Sequence, residues 1–329
     1  MLIATHNGSF HADEVTACVI FKLLDATTQI IRTRDPELLE SADYVIDVSG
    51  KFDLQKHFDH HPAEFNLSRA NGIRYATAGL IWEKFGRQLL ELIRRCMPNP
   101  DEISDVVINK AWKTIDRNIM QYTDLTDNGQ LDSYTRSLCG LDGTTEENQV
   151  YASLNRFYMH IPVIPYIVAM QNNPNGNDEE QYKNFMDTVE SMKVLYKNIF
   201  INTLTNARDE EKVLQSYDGS EILRLNEKLP WFEAVLNNWN YFEKCRIAIY
   251  PDHKKKGYRI QSLPGSQSSR FKNRCGAPVA WRGRELDELN ALVGITTATF
   301  VHKTGFTGGA LSKEDIEIMA RKWLDNAEM

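Results

Sequence analysis

Over the first fifty residues, three short apolar runs alternate with stretches of helical spacing. Residues 2–5, 29–32 and 44–48 read as strands, the last ended by Ser49 and Gly50. Residues 13–24 are apolar nearly all round and read as a buried helix. Pro36 suits the first turn of a short helix. This alternation predicts an α/β unit with a mainly parallel sheet flanked by helices. From 77 to 96 the apolar residues Ala78, Ile81, Phe85, Leu89 and Leu92 recur at helical spacing. A second helix is expected over 103–120, leading into residues 123–129.

Residues 171–180 are rich in Asn, Gly, Asp and Glu and read as a surface loop. A long helix over 182–214 carries a packing spine of Phe185, Val189, Met192, Tyr196 and Ile199. The last third changes character. Residues 222–225, 246–250, 258–263 and 297–302 read as strands, and 284–293 and 313–326 as helices. The second and third of these strands can form a hairpin through Lys254, Lys255, Lys256 and Gly257. Ser312 with Asp315 gives a capping signal for the closing helix. The division expected is a catalytic α/β domain over 1–218, including the long helix, and a smaller α+β domain over 219–329. No internal repeat is visible.

Composition narrows the class. The chain has 329 residues, 42% hydrophobic and 25% charged, which is ordinary for a globular protein. No apolar run approaches the ~20 residues needed to span a membrane. Neither a signal peptide nor an Arg-rich transit segment precedes residue 6, so an intracellular setting is expected. Cys18, Cys96, Cys139, Cys245 and Cys275 form no C-x-x-C pair and are expected to be reduced, buried small hydrophobes. A net charge of −7 disfavours a passive nucleic-acid coat but not a nuclease whose acidic centre is neutralised by metal.

Three clusters carry chemistry. His6, His11 and Asp13 follow the first strand, Asp47 follows the third, and Asp59, His60 and His61 come shortly after. In open α/β sheets, ligands bind outside the carboxyl ends of the strands, where these clusters fall. His with Asp suits Mn²⁺, Zn²⁺ or Mg²⁺. A carboxylate such as Asp47 could bridge two ions, the arrangement that supports phosphoryl displacement. A lone His6 or Asp47 would be an ordinary loop residue; the ordered set of three clusters points to metal.

Asp59-His60-His61 resembles the signature of the DHH phosphoesterase superfamily. The fuller pattern resembles the melanocyte-proliferating-gene (Myg) family within it. The matching stretches are THNGSFHADE from Thr5, RTRDPELLE from Arg32, VIDVSG from Val45, FDHHP from Phe58, TDLTDNG from Thr123, AWRG from Ala280 and ITTATFVHKTGFTGG from Ile295. The resemblance covers nearly the whole chain and is weakest over 141–218. It implies a metal-dependent phosphodiester hydrolase holding two divalent cations, and a 3′–5′ exonuclease acting on RNA in nuclei and mitochondria. It implies metal ligands at His6, His11, Asp13, Asp47, His60 and Asp127, with Asp47 bridging, His61 beside the scissile phosphate, and Asp124 the lesser choice for the fourth-motif carboxylate. Two departures stand out. His11-Ala12-Asp13 replaces the superfamily's Asp-x-Asp, which bears on the preferred metal, and Ser49 stands where the family has Gly.

The C-terminal domain offers a substrate clamp. The Gly-rich run 305–309, with Gly308 and Gly309, reads as a turn feeding a helix N-terminus and presenting N–H groups to an anion. His302 and Lys303 lie just upstream. Lys254, Lys255, Lys256, Arg259, Arg270, Lys272, Arg274, Arg282 and Arg284 crowd the same domain, forming either a solvated face or a phosphate-backbone track. The reading is a two-domain hydrolase with its site in the interdomain cleft and single-stranded RNA as substrate. The alternatives are an enzyme acting on small nucleotides or pyrophosphate, and a non-catalytic RNA-binding protein that keeps the fold.

Overall fold

The computed structural model describes residues 1–141, 163–252 and 256–325. It divides into two compact units, Met1–Thr205 and Asn206–Met329.

The first unit is built on a four-stranded sheet in the order β2-β1-β3-β4, from β1 (Leu2–Thr5), β2 (Gln29–Arg32), β3 (Tyr44–Ile46) and β4 (His57–Phe58). All three pairings are parallel, so every strand ends at the same edge. Helix α1 (Ala12–Leu24) follows β1 and buries every residue from Ala12 to Phe21, as its all-round apolar pattern predicts. Asp13 and Glu14 go under with the rest, so two carboxylates are buried at the sheet's functional edge. Asp35 caps α2 (Pro36–Ser41) through Glu37 N–H at 2.8 Å. Strand β3 stops at Ile46, two residues short of the expected end, because Asp47 has φ +55° and leaves the extended region.

Helix α3 (Thr77–Arg95) matches its predicted span closely. The single helix expected over 103–120 is instead α4 (Asp105–Ile115) followed by one wide π-type turn, Asp116–Met120. The chain then continues as α5 (Gln121–Asp127), so the Asp-rich segment is helical as far as Asp127. Two short helices, α6 (Leu131–Leu138) and α7 (Ile164–Ala169), were not foreseen.

Helix α8 (Asp178–Gln215) buries Phe185, Val189, Met192 and Tyr196. Its fifth spine position is Phe200, fully buried, and not Ile199, which is only partly covered. The 3.6-residue period leaves both positions near the buried face; Phe200 is the one that packs, its ring 5.4 Å from Trp82 and 5.8 Å from Tyr196.

The second unit carries a five-stranded sheet in the order β10-β11-β7-β6-β5. Its strands are β5 (Ile222–Arg224), β6 (Ile247–Asp252), β7 (Gly257–Ser262), β10 (Ala298–Val301) and β11 (Thr307–Ala310). The hairpin expected between β6 and β7 is present, pairing Asp252 with Gly257. A separate hairpin joins β8 (Pro264–Ser266) to β9 (Ser269–Asn273). The helices are α9 (Trp231–Asn237), α10 (Leu286–Val293) and α11 (Lys313–Asp325). Ser312 Oγ accepts the Asp315 N–H at 3.0 Å, as the capping signal predicts. The Asp315 carboxylate turns away from the cap and accepts the N–H groups of Thr296 and Thr297 at 3.0 and 2.8 Å. Trp281, Trp323, Ile260 and Leu289 lie in the core on one side of this sheet.

All five cysteines are free thiols, but Cys96 and Cys139 are exposed, contrary to expectation. Cys96 caps the C-terminus of α3 and Cys139 that of α6, and helix ends face solvent. Among the described residues no helix is long and apolar enough to cross a membrane.

Candidate metal centre

Because β1, β3 and β4 run parallel, the residues just past their carboxyl ends converge. His6 follows β1, Asp47 follows β3, and Asp59, His60 and His61 follow β4. Asp47 lies at the centre. Its Oδ2 is 3.5 Å from His6 Nε2, and its Oδ1 is 3.5 Å from His60 Nε2 and 3.3 Å from His61 Nδ1. Across the site, His60 Nε2 is 3.1 Å from Asp127 Oδ2 and 3.9 Å from Asp13 Oδ2. Asp47, His60 and Asp13 are all buried. The positive φ of Asp47 is strain of the kind that aims a side chain at a functional centre, and Asp tolerates it better than most residues.

The protonation states follow from this crowding. Burial alone disfavours a charged ring on His6, but attraction to Asp47 and Glu14 outweighs it and raises His6 to about 10. Burial likewise opposes charge on His60, and Asp127 and Asp47 overcome it. Asp13 is pushed up by its burial and by the charges of Asp127 and Asp47. Asp47 is held well below the usual carboxylate range: burial acts against this, and the three histidines prevail.

These residues fit divalent cations. Asp47 Oδ1 and His60 Nε2 are buried and complete no hydrogen bond, although each is surrounded by polar atoms. Buried polar atoms ordinarily find partners, so two orphans facing each other mark a place shaped for something else. Three donor triads lie around them: His6, His11 and Glu14; Asp47, His60 and His61; and Asp13, His60 and Asp127. Imidazole with carboxylate is the donor chemistry of Mn²⁺, Zn²⁺ and related ions.

The supporting contacts are specific. The Nδ1–H of His6 donates to the carbonyl of Asn7 at 3.0 Å, which turns Nε2 toward Asp47. Glu14, whose role the sequence did not suggest, lies 3.0 Å from His6 Nε2 and accepts the His11 N–H at 3.0 Å. The His11 ring is exposed beside it, 6.2 Å from the His6 ring. Asp59 accepts from both the backbone N–H and Nδ1 of His61, at 3.0 and 2.8 Å, and from Gly50 N–H at 2.7 Å. It therefore ties the turn after Asp47 to the His61 ring and leaves His61 Nε2 free to face the cavity. Ser49 accepts the Lys51 N–H at 3.2 Å within that same turn.

Asp127 and Asp124 separate clearly. Asp127 reaches His60, whereas Asp124 is bound by Arg69 Nη1 at 2.5 Å and by Gly79 N–H at 3.1 Å. Arg69 also grips Asp116, at the π-type turn, at 2.7 Å, and stacks 4.1 Å over Tyr75. A Cβ on Gly79 would lie 2.1 Å from Asp124 Oδ2, so only glycine admits this ion pair. Nothing in the spacing around Arg69 announced the cluster.

Two further side chains brace the first loop. Arg32 donates to the carbonyls of His6 and Gly8 at 3.0 and 2.9 Å and lies 4.5 Å over Phe185 of α8. Asn172 makes a two-point clamp on Phe10, accepting its N–H and donating to its carbonyl, both at 2.8 Å. The donor cluster opens on a cavity of about 700 Å³ that also touches Arg34, Pro165 and Ala169.

The residues expected to clamp substrate lie in the second unit. Gly308 and Gly309 do not form an anion-presenting turn. They sit inside β11, paired on one side with Val301 and Phe300 and on the other with Ile260 and Arg259. A Cβ on Gly308 would stand 2.9 Å from the Phe300 carbonyl, and one on Gly309 2.9 Å from the Tyr258 carbonyl, so close packing accounts for both. His302 Nδ1 pairs with Thr304 Oγ1 at 2.8 Å, Lys303 is exposed, and Arg282 donates to the Ala277 carbonyl at 2.8 Å. Of the basic cluster, Arg259 pairs with Asp252, Arg284 with Glu288, and Arg274 holds the carbonyls of Phe242 and Cys245. Lys256 and Lys272 are exposed; Lys254, Lys255 and the side chain of Arg270 lie outside the described residues.

The family model described as "Uncharacterised protein family (UPF0160)", MYG1_exonuc, matches residues 2–324. The "MYG1 protein C694.04c" of Schizosaccharomyces pombe is 31% identical, over 98% of this chain and 97% of that one. The "MYG1 exonuclease" of Mus musculus is 30% identical, over 98% of this chain and 84% of its own length. Among solved structures, the pGpG-specific phosphodiesterase PggH from Vibrio cholerae aligns over 99% of both chains at 15% identity, with a TM-score of 0.26. With the family model spanning nearly its whole length, this chain belongs to the MYG1 exonuclease family.

Proposed function

We propose that this protein is a metal-dependent phosphodiester hydrolase that acts on single-stranded RNA as a 3′–5′ exonuclease. In this reading His6, His11, Asp13, Asp47, His60 and Asp127 would hold two divalent cations, with Mn²⁺ preferred and Mg²⁺ or Zn²⁺ as substitutes, and Asp47 would be the ligand shared between them. The observation that carries the reading is the facing pair of orphaned atoms, Asp47 Oδ1 and His60 Nε2, inside a shell of carboxylates and imidazoles. The name of the mouse relative, an exonuclease, supports a nucleic-acid substrate.

Two cations, when bound, neutralise charge on the attacking and leaving oxygens of an in-line displacement. The chain's own residues do the rest. Asp59 accepts from His61 Nδ1 and so directs His61 Nε2 toward a phosphate oxygen, where a donor is worth most as charge develops. Arg32 and Asn172 hold the loop that carries His6 and His11. Lys254, Lys255, Lys256, His302, Lys303 and Arg282 are the proposed RNA contacts. Gly308 and Gly309 are left out of that set, since both edges of their strand are already paired.

The test is incubation of 5′-labelled single-stranded RNA with Mn²⁺, with and without chelator. Stepwise shortening that stops on chelation is expected. Persistent activity after chelation would exclude the mechanism. Hydrolysis confined to nucleoside bisphosphates or pyrophosphate would move the reading to small substrates.

A further inference from the structure

Around the cavity at the donor cluster, Arg34 is, among the described residues, the one lining residue with a guanidinium or ammonium group. The wall also carries Asp13, Asp47, Asp59 and Asp127. Arg34 pairs with none: its side chain is exposed and makes no hydrogen bond or ion pair among the described residues.

Its backbone is nevertheless held firmly. Thr33 N–H donates to the Thr5 carbonyl at 2.7 Å, and Thr33 Oγ1 accepts the Asp35 N–H at 3.0 Å. Asp35 in turn caps α2. The Arg34 backbone is thus placed at the carboxyl edge of the sheet, one strand over from the β1 end that supplies His6. Two other arginines of this unit are engaged elsewhere, Arg32 by the His6 and Gly8 carbonyls and Arg69 by Asp116 and Asp124.

An unpaired cation on the wall of this cavity is available for an anion brought by the substrate. The scissile phosphate has its own partners in the donor cluster and His61. A cavity of about 700 Å³ has room for more than one phosphate. The guanidinium fork matches phosphate oxygens two at a time. We propose that Arg34 is a specificity-determining residue that binds the phosphate next to the scissile one, so that the site prefers nucleotide chains carrying a second phosphate over a lone phosphodiester. This rests on the phosphodiester-hydrolase reading above.

The experiment compares the unaltered protein with Arg34→Ala, Arg34→Gln and Arg34→Lys, all loaded with Mn²⁺. The substrates are the dinucleotide UpU, the same dinucleotide bearing a 5′-phosphate, and bis(p-nitrophenyl) phosphate. The unaltered protein should favour the 5′-phosphorylated dinucleotide over UpU. Arg34→Ala and Arg34→Gln should shrink that preference by about tenfold to a hundredfold, the range for one charged contact, chiefly through KM. Arg34→Lys should retain part of it. An unaltered preference in Arg34→Ala, or no preference in the unaltered protein, overturns the assignment. Equal losses on all three substrates overturn it too, since that marks damage to the whole site. Failure of the unaltered protein to hydrolyse even bis(p-nitrophenyl) phosphate sinks the hydrolase reading itself and takes this assignment with it.

Discussion

Asp13, in the first turn of α1, accepts the backbone N–H of Ala78 at 2.6 Å and so caps a different helix, α3. Its other oxygen accepts the Thr77 N–H at 2.9 Å. Helix α3 has Ala76 at its own N-cap, a residue with no side-chain acceptor. One carboxylate therefore closes the end of a core helix and also faces His60 across the donor cluster. Asp13→Ala should destabilise the metal-free protein by about 1–2 kcal/mol, the usual cost of losing an N-cap. Asp13→Asn, which keeps one acceptor, should lose less. Urea denaturation in chelator is the check, and an alanine variant as stable as the unaltered protein would show that the cap is idle.

Asp47 separates metal binding from folding. Its φ of +55° is one that asparagine also tolerates, so Asp47→Asn should fold normally. A neutral amide in place of the bridging carboxylate should weaken divalent-cation binding at least ~10-fold and remove most turnover. Calorimetric Mn²⁺ titration alongside circular dichroism measures both. Near-normal turnover by this variant at saturating Mn²⁺ would falsify the bridging role.

The histidines make metal binding pH-dependent. His6 is raised to about 10 in the metal-free protein and His60 is raised as well, both by their carboxylate neighbours against burial. For a raised group, the stabilising charge is fully present below the unfolded value, ~6.5, and is lost as pH climbs through the folded one. The metal-free protein should therefore lose stability from about pH 6.5 upward. A ligating nitrogen must shed its proton, so cation binding should release protons and tighten with pH, by roughly one log unit per pH unit for each proton released. Titrations in buffers of differing ionisation heat count those protons. A Kd constant from pH 6.5 to 8.5 would contradict the assignment of His6 and His60 as ligands.

Much of this site could be read from the chain. His6 and Asp47 each follow a short apolar run, and parallel strands bring such positions together whatever lies between them. The extent of α8 was equally legible, because a periodic pattern sustained over ten turns averages out local noise. What stayed hidden depends on contacts distant in sequence. Glu14 reads as an ordinary first-turn acid until His6 is seen beside it. Asp124 and Asp127 sit three residues apart on one helix, and only Arg69, fifty-five residues before Asp124, decides which of them faces the site. Gly308 and Gly309 suggested an anion turn because a Gly-Gly pair looks alike in a turn and in a crowded strand. Strand β4, two residues long, is too short for any periodicity.

Gly79 should be intolerant of the smallest side chain. An added Cβ would meet Asp124 Oδ2 at 2.1 Å and Arg69 Nη2 at 2.8 Å, inside the ion pair that joins α3, α5 and the π-type turn. Gly79→Ala should cost about 1–3 kcal/mol, as overpacking does, despite alanine's better helix propensity. Burial alone pushes Asp124 up, and Arg69 acts against that rise, leaving it at about 7. Displacing Arg69 should therefore leave Asp124 protonated. A thermal melt that is unchanged or raised in Gly79→Ala would show that the pair yields without strain.

His60 and His61 are adjacent yet differently placed, and their variants should fail differently. His60 is buried, its Nε2 3.1 Å from Asp127 and 3.5 Å from Asp47. His61 has a side chain 63% exposed and is held from behind by Asp59 at 2.8 Å. A buried imidazole between carboxylates suits ligation, so His60→Ala should lose cation affinity first, and excess Mn²⁺ should restore part of the turnover. An exposed imidazole oriented through its Nδ1 suits contact with substrate. His61→Ala should keep its cations, bind RNA and lose turnover by ~100-fold or more, as when one transition-state donor is removed. Asp59 supplies a third comparison, because it touches His61 and the Gly50 turn but completes no bond with His60. Asp59→Asn should follow His61→Ala in kind and fall short of it in size, since the ring remains but is less firmly held. Calorimetric metal titration and single-turnover rates on the three variants separate the outcomes. If His61→Ala loses cations while His60→Ala keeps them, the two roles are exchanged; if Asp59→Asn behaves like His60→Ala, Asp59 acts on the cation centre and not through His61.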